Sequence, residues 1–353
     1  LQSFPTRRSS DLDGSRHLAD IGWVAMHSAL GDAQNDVWAL FKSSRFGSFS
    51  HSHGDQNTFQ LNAYGRPLLI DSGYYPWYGS PHDQLWTRQT RAHNGILVNG
   101  RGQPPGQWAA SGSIDTYERH GALTLVRGEA AAAYNQPFSQ GFLNLWRKSL
   151  KEPVPVMSPD VQSFERTLAF VASKTRPVLV VNDYLKTGAP ATFDWLLHAL
   201  NRMETDTRNG AIFVRDGDAR LVVRVLSTRG LAFSQTDRFN PMPEIEGSGC
   251  ADKPKECAAR FAGQWHLAAK TQGPADEVRF LAIMVPYRAS EKEPAIETFQ
   301  ENGSAGFRVD GTEVAAWWGA GKTGKIAAGG LSGEGRIVVR VKDQKGSANT
   351  VSQ

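Results

Sequence analysis

The sequence TFQLNA at 58–63 alternates polar and apolar side chains. A period of two residues places every second side chain on one face of a β-strand, so this segment predicts a strand with one buried face. The sequence VLVV at 178–181 is apolar throughout and predicts a strand that is covered on both faces. Both patterns recur along the chain between short polar turns. We therefore predict an all-β protein built as a large antiparallel β-sandwich.

The segments predicted as strands share this patterning and are bounded by turn residues. They are 36–42, 58–63, 67–71, 94–98, 112–119, 123–129, 142–149, 163–170, 178–184, 191–198, 211–215, 220–226, 261–268, 278–285 and 335–341. No long amphipathic helix is predicted. The segments 150–162 and 238–258 are predicted to be surface connections.

The composition argues against two classes of protein. The chain has 353 residues and a formal net charge of +4, and it has no run of Lys or Arg of the kind that binds nucleic acid. No apolar stretch reaches the ~18 residues that are typical of a membrane-spanning helix. We therefore expect neither a nucleic-acid partner nor a membrane span.

The two cysteines, Cys250 and Cys257, lie close together in the second predicted connection. A loop this short can close into a disulfide, which would indicate an oxidising compartment. Two free thiols on a surface loop are the alternative, and the sequence leaves both possibilities open.

The N-terminal sequence SFPTRRSSDL at 3–12 resembles the translation of a common DNA-sequencing adapter. We therefore treat residues 1–12 as a non-native artefact that is excluded from fold prediction. Residues 13–353 are predicted to form a single β-sandwich domain. Any signal peptide is expected to have been lost with the true start of the protein.

Three short segments near the first strands carry side chains of the kind that bind metals. His51 and His53 lie two residues apart, Asp71 ends an apolar run, and His93 begins the next one. If these segments are strands, short turns bring the side chains together. Imidazole and carboxylate groups are common zinc ligands. A carboxylate at the end of a buried strand is also costly unless it is paired or metal-bound.

Other interpretations of these residues stay open. Cupins also use a His-x-His motif, although they place a glutamate ligand a few residues later, where this chain has Asp55, Gln56 and Asn57. The histidines could instead be hydrogen-bonding groups on a polar surface. Asp71 could cap a turn, because Asp-Ser-Gly is favourable turn chemistry.

The segment between Asp71 and His93 is rich in aromatic and arginine residues. It contains Tyr78 in YYPWYGS at 74–80. Aromatic rings could stack on sugars, and the nearby arginines could form bidentate contacts with a carboxylate or sulfate. Alternatively, the aromatic side chains pack onto the sandwich.

Taken together, these segments resemble the heparinase II/III-like family of polysaccharide lyases. The segments that carry the resemblance, in chain order, are HSHGDQN (51–57), GRPLLIDSGY (65–74) and TRAHN (90–94), then more weakly GEA (128–130) with Tyr134, and WLLH (195–198). The resemblance implies the family's C-terminal β-sandwich, a super-sandwich. The family's N-terminal α/α toroid has no counterpart in this sequence.

The resemblance also implies roles for individual residues. A zinc ion with a structural role would be bound by His53, Asp71 and His93. His51 matches a histidine that reaches the active cleft, and we expect it to be catalytic. The residues expected to hold the sugar are Tyr78, Arg88, Arg91 and Asn94.

The activity implied by the resemblance is β-elimination at a uronic-acid residue of an acidic polysaccharide, of the alginate or the heparin/heparan type. The parent protein would be a periplasmic or secreted lyase. This chain alone would supply one wall of the cleft, and we expect it to be inactive. The alternatives are a non-catalytic β-sandwich that binds acidic glycans and a cupin-like metal enzyme.

Overall fold

The computed structural model describes residues 14–154, 159–173, 176–342 and 348–353. The adapter-like segment predicted at 1–12 lies outside these ranges. Within them, the chain is mostly antiparallel β-structure with a few short helices. No helix in the described ranges is both long enough and apolar enough to cross a membrane.

Short strands follow one another along most of the chain. In chain order they are β1 (Ser15–Leu18), β2 (Trp23–His27), β3 (Val37–Lys42), β4 (Thr58–Ala63), β5 (Arg66–Leu69), β6 (Ile96–Val98), β7 (Ser113–His120), β8 (Leu123–Glu129), β9 (Val161–Val171), β10 (Val178–Ala191), β11 (Phe193–Ala199), β12 (Glu204–Asp206), β13 (Ala211–Asp216), β14 (Ala219–Ser227), β15 (Leu231–Thr236), β16 (Trp265–Thr271), β17 (Ala275–Arg288), β18 (Glu297–Glu301), β19 (Ser304–Val309), β20 (Thr312–Trp317), β21 (Gly324–Ala328), β22 (Leu331–Gly335), β23 (Ile337–Lys342) and β24 (Ala348–Ser352). The α-helices are α1 (Ala131–Tyr134), α2 (Gln140–Ser149) and α3 (Pro254–Arg260). A π-helical turn at Asp83–Thr87 and a 3-10 turn at Thr90–Ala92 precede β6.

The sheets stack in layers around an eight-stranded sheet with the strand order β12-β13-β14-β17-β10-β9-β8-β7. One face of this central sheet packs against the five-stranded sheet β1-β2-β3-β4-β5 and the four-stranded sheet β15-β16-β11-β6. The opposite face packs against the five-stranded sheet β18-β19-β20-β23-β24. The hairpin β21-β22 covers the outer side of this last sheet. The predicted large antiparallel β-sandwich is confirmed.

The central sheet is buried on both faces. In β10, Leu179 and Val181 belong to the core shared with the first two sheets, whereas Val178 and Val180 belong to the core on the opposite side. Successive side chains of a strand point to opposite faces, so the apolar run VLVV fills both cores. By contrast, β4 lies in an outer layer and alternates buried Phe59 and Leu61 with partly exposed polar side chains.

One predicted strand, 142–149, is wrong, because these residues lie in helix α2. The Ser139 hydroxyl caps the helix by accepting a hydrogen bond from the backbone N–H of Phe142 at 3.2 Å. Phe142 and Trp146 are four residues apart, so a helix places both on one face, where they pack against Leu85. Period-two patterning was the wrong interpretation of this apolar segment.

Several further elements were not predicted. The N-terminal strands β1 and β2 and the later strands β18 to β22 had no counterpart in the predicted set. Strand β16 begins four residues after the predicted start at 261. The connection at 238–258 contains the first part of helix α3, and its cysteines, Cys250 and Cys257, form a disulfide.

A buried ion pair links the central sheet to the segments that precede β4 and β6. The fully buried guanidinium of Arg166 contacts both carboxylate oxygens of Asp183, at 2.6 and 2.9 Å. A third nitrogen, Nη1, donates to the carbonyls of Asn57 and Asn94, each at 2.7 Å. The Trp195 indole donates to Asp183 at 3.0 Å. These bonds give both charges several partners, as burial requires.

We expect Asp183→Asn to destabilise the protein by about 3–5 kcal/mol, because it leaves the buried Arg166 charge without its counter-ion. The measurement is the free energy of unfolding from urea titration. The matched control is Glu204→Gln, which breaks an ion pair with Arg215 whose side chains are 60% and 58% exposed. The control should cost less than about 1 kcal/mol. Equal losses for the two variants would contradict the central role of the buried pair.

Candidate active site

A groove of about 580 Å³ lies on the five-stranded sheet β1-β2-β3-β4-β5. Strands β2, β3 and β4 form its floor, and the connection between β3 and β4 forms one side. Asp71, just after β5, closes one end. The groove-lining residues that matter for the site are Lys42, Phe46, Phe49, His51, His53, Asp55, Gln60 and Asp71.

The connection that carries His51 is fastened by Arg88. The buried guanidinium of Arg88 donates through Nη2 to the carbonyls of Ser50 and Ser52, at 3.0 Å for Ser52. The backbone N–H of Gly54 donates to the carbonyl of Arg88 at 2.9 Å. Arg88 therefore hydrogen-bonds to the backbone on both sides of His51. The side chain of His51 itself is exposed at the groove.

Tyr78 lies beside His51, which lines the groove. Their ring centroids are 4.9 Å apart. Tyr78 is 55% exposed, and the Arg88 guanidinium lies 5.9 Å from its ring centroid. Arg88 thus contacts Tyr78 on one side and the His51 backbone on the other, and it organises both exposed groups.

The segment that carries Tyr78 packs against the connection that contains the disulfide. Tyr74 donates its hydroxyl to the carbonyl of Ala262 at 2.6 Å, and the backbone N–H of Gly73 donates to Gln264 at 2.7 Å. The backbone N–H of His82 donates to Glu244 at 2.9 Å. The long connection after β15 therefore supports one side of the groove.

The structure brings His53, Asp55 and His93 together, with ligand atoms all within 4.8 Å of one another. The predicted carboxylate, Asp71, is also adjacent, since its Oδ1 lies 3.0 Å from Nδ1 of His93. Gln60 orients Asp71 by donating to its other oxygen at 2.5 Å. The cluster therefore holds the three predicted ligands and a second carboxylate.

Asp55 was considered in the sequence only as a misplaced cupin ligand. It is buried, and one of its oxygens contacts the ammonium of Lys42. The signal that could have identified it is its spacing: His51, His53 and Asp55 occur at every second position. The local backbone brings His53 and Asp55 toward His93, which no local pattern specifies.

The donor atoms of this cluster fit a divalent metal. Nε2 of His93 is buried and lacks a hydrogen bond from any described residue, whereas Nδ1 is paired with Asp71 at 3.0 Å. Buried polar atoms normally have partners, so atoms left without one call for an explanation such as an ion. Two imidazoles with one or two carboxylates form a typical zinc ligand set.

The charges in the cluster shift the pKa values of its members in different directions. Burial and the nearby His93 lower the pKa of His53 to about 4. Burial also disfavours a charged His93, but the adjacent Asp71 carboxylate outweighs that effect and raises the His93 pKa. Burial alone would raise the pKa of Asp71, yet the charge of His93 lowers it. His93 and Asp71 therefore stabilise each other as an ion pair in the metal-free protein.

Arg88, Arg91 and Asn94, all expected to hold the sugar, do not line the groove. The Arg91 guanidinium lies 4.8 Å from the ring centroid of Trp146 and 3.4 Å from Glu152. The buried amide of Asn94 donates to the carbonyls of Phe59 and Ile70 and accepts from the backbone N–H of His198. Asn94 thereby joins three neighbouring segments beside His93.

Two further histidines lie behind the cluster, and the sequence pattern marked them only weakly or not at all. His198 is buried and its Nε2 lies 2.9 Å from the carbonyl of Arg91. Nε2 of His266 lies 2.8 Å from the Ser72 hydroxyl. These contacts support the backbone next to Asp71 and His93. Burial lowers the pKa of His198 to about 3, and it lowers the pKa of His266 to about 4.

The sequence matches the family described as Heparinase II/III-like, C-terminal, over residues 11–298. This chain belongs to that family. The cupin-like alternative is therefore wrong. No functionally curated protein matches the sequence.

Solved structures share this fold. A heparinase III gene product has a TM-score of 0.61 at 13% identity, with 96% of this chain and 42% of that chain covered. The heparan sulfate lyase HepC from Pedobacter heparinus has a TM-score of 0.59 at 16% identity, with 84% of this chain and 41% of that chain covered. This chain therefore spans less than half the length of these structures.

We expect acid to destabilise the metal-free protein between pH 6.5 and 5. His53, His198 and His266 have folded-state pKa values of about 4, 3 and 4, well below their ordinary value of 6.5. In this range the unfolded chain binds protons that the folded protein does not bind. Each histidine therefore removes up to about 1.4 kcal/mol of stability per pH unit. The raised pKa of His93 makes stability depend on pH only above about pH 6.5, which lies outside this window.

The measurement is the free energy of unfolding from urea titration at several pH values, with chelator present. His266→Gln should reduce the slope of the unfolding free energy against pH by the amount that corresponds to about one proton taken up on unfolding. The matched control, His120→Gln, changes a histidine whose side chain is 36% exposed and should leave the slope unchanged. An unaltered slope for His266→Gln would contradict the assignment.

Proposed function

We propose that this chain is the β-sandwich part of a polysaccharide lyase that cleaves a uronate-containing polysaccharide by β-elimination. The observation that carries the proposal is the exposed His51, which lies at the groove on a backbone gripped by Arg88 and next to a buried metal-type cluster. Membership of the heparinase II/III-like family and the heparan sulfate lyase among the similar folds support it. The substrate classes proposed are heparin/heparan and alginate.

The chemistry begins at the C5 proton beside the uronate carboxylate. A base removes that proton, and the negative charge that develops on the carboxylate must be stabilised. The bond from C4 to O4 then breaks, an acid protonates the departing oxygen, and a C4–C5 double bond remains. Imidazole is a side chain that can take either role in general acid–base catalysis, so His51 has the chemistry to donate to the carboxylate or to take part in the proton transfer. Tyr78, adjacent to His51, can orient the sugar.

Other catalytic groups are proposed to come from parts of the parent protein outside this chain, because the similar structures are more than twice as long. A groove with one wall lacks the complete set of acid, base and charge-stabilising groups around the sugar. We therefore expect the 353-residue chain by itself to give no measurable turnover.

We also propose a zinc ion with a structural role, bound by His53, Asp71 and His93, with Asp55 as a further candidate ligand. When bound, the ion would neutralise the carboxylates and fix the ligand-bearing segments. His51 lies outside the ligand set and stays available for the substrate. The Cys250–Cys257 disulfide supports a periplasmic or secreted location, because disulfides persist in oxidising compartments.

We expect His51→Ala in the parent protein to lower kcat/KM by about 10²–10⁴-fold, the range for loss of a general acid or base. Stability should barely change, because His51 is exposed. The assay follows the ultraviolet absorbance of the unsaturated product on heparan sulfate and alginate. His120→Ala, at an exposed site on β7, is the matched control and should keep full activity. Near-normal turnover by His51→Ala would show that its proposed role is wrong.

We expect the metal-free chain to bind about one equivalent of zinc and to gain about 2.7 kcal/mol of stability when free zinc is about a hundredfold above Kd. Binding at pH 6.5 should release protons, because the pKa of His93 is raised above 6.5 and zinc must displace the proton that this imidazole carries. Elemental analysis and calorimetry in two buffers measure both effects.

The zinc ligands can be separated by substitution. His53→Ala and His93→Ala should abolish binding, whereas His120→Ala should not. Comparing Asp55→Asn with Asp71→Asn then identifies which carboxylate binds the ion. Less than about a tenth of an equivalent in the folded wild-type protein after zinc loading would refute the site.

A further inference from the structure

Three large aromatic side chains are exposed together at the rim of the groove. Phe46, Phe49 and Trp108 are 40%, 43% and 56% exposed, and we refer to them as the aromatic platform. The rings of Phe49 and Trp108 are stacked, with centroids 4.4 Å apart and an interplanar angle of 19°. Phe46 meets Trp108 edge-on at 6.1 Å. Clustered exposed apolar surface of this kind is typical of a binding site.

The platform is held in place by hydrogen bonds between two turns. The Ser48 hydroxyl donates to the carbonyl of Pro104 at 2.6 Å, and the Ser48 backbone N–H donates to the carbonyl of Gln107 at 2.9 Å. The N–H of Gly106 donates back to the Ser48 carbonyl at 2.8 Å. The rings therefore stand on a pre-formed support, which lowers the entropic cost of binding.

Gly47 allows the two turns to approach each other. It has a φ of +62°, and a Cβ at this position would lie 2.3 Å from the carbonyl oxygen of Gln107 and 2.4 Å from that of Trp108. Only glycine fits a left-handed conformation pressed this closely against backbone. The local sequence thus builds the contact that places Trp108 beside Phe49.

The platform is continuous with the proposed catalytic groove. Phe46 and Phe49 line the same groove as His51, and Phe49 precedes His51 by only two residues. The guanidinium of Arg45 lies 5.2 Å from the Phe46 ring centroid, so a positive charge borders the aromatic surface. A ligand that extends from His51 along this side would meet flat aromatic faces with a cation beside them.

We infer that the aromatic platform is a second sugar subsite, which stacks on a different ring of the same acidic glycan from the one that lies at His51. This inference rests on the proposed function. Flat aromatic faces match the apolar faces of sugar rings, and Arg45 matches their acidic substituents. A ligand that contacts both His51 and the platform must contain more than one sugar ring, so the subsite gives a preference for oligosaccharides over single sugars.

The experiment measures binding of heparin and alginate octasaccharides, and of neutral cello-octaose, to the 353-residue chain by calorimetry. Trp108→Ala and Phe49→Ala should each weaken acidic octasaccharide binding roughly tenfold, as expected for truncation of an aromatic anchor. The loss should persist at high salt, because stacking is not screened. Trp108→Phe should restore part of the affinity. Met242→Ala removes a side chain that is 59% exposed elsewhere and should change nothing.

The outcomes separate this subsite from the proposed function. Acidic glycan binding that is unaffected by Trp108→Ala and Phe49→Ala would overturn the subsite and leave the function standing. Binding of cello-octaose alone, lost in the two variants, would support the subsite and count against an acidic substrate. Self-association that disappears in the variants while glycan affinity is unchanged would identify a protein interface and overturn the subsite. Failure of the folded wild-type chain to bind any of these glycans would overturn the subsite, whereas the proposed function is decided by the turnover of the parent protein.

Discussion

The buried contact between Arg166 and Asp183 is the interaction on which the arrangement of the site depends. Two charges taken out of water are tolerated only when both are fully paired, and here the surplus donors of Arg166 are satisfied by the carbonyls of Asn57 and Asn94. Those carbonyls belong to the segments that continue into β4 and follow His93. The central sheet therefore sets the position of the cluster through a charged side chain that is buried beneath it.

At the groove, too, buried polar side chains fix the positions of neighbouring segments. Arg88 holds the backbone beside His51, Asn94 joins three segments beside His93, and Gln60 orients Asp71. Polar side chains suited to bind a sugar are instead used to satisfy backbone carbonyls, which must be paired once they are buried. The groups left for a ligand are His51, Tyr78 and the aromatic rim. The site thus separates a rigid buried layer from a small set of exposed side chains.

Much of the fold could be predicted, because the central strands carry an unmistakable signal. A strand buried on both faces must be apolar at every position, and VLVV at 178–181 is such a strand. The segment 142–149 was misassigned, since a short apolar run fits a helix and a strand equally well until its capping and packing are known. The outer strands β18 to β22 are short and partly polar, so their periodicity was too weak to identify them.

The sequence by itself determined the strand pattern, the family resemblance and the three segments that carry His53, Asp71 and His93, because residue type and local spacing are written along the chain. Only the tertiary structure decided that Arg91 and Asn94 are withdrawn from the groove, that Asp55 joins the cluster, and that Trp108 stacks on Phe49. These outcomes depend on which turns and sheets pack together. Burial and contact between distant segments follow from that packing, and no local periodicity encodes them.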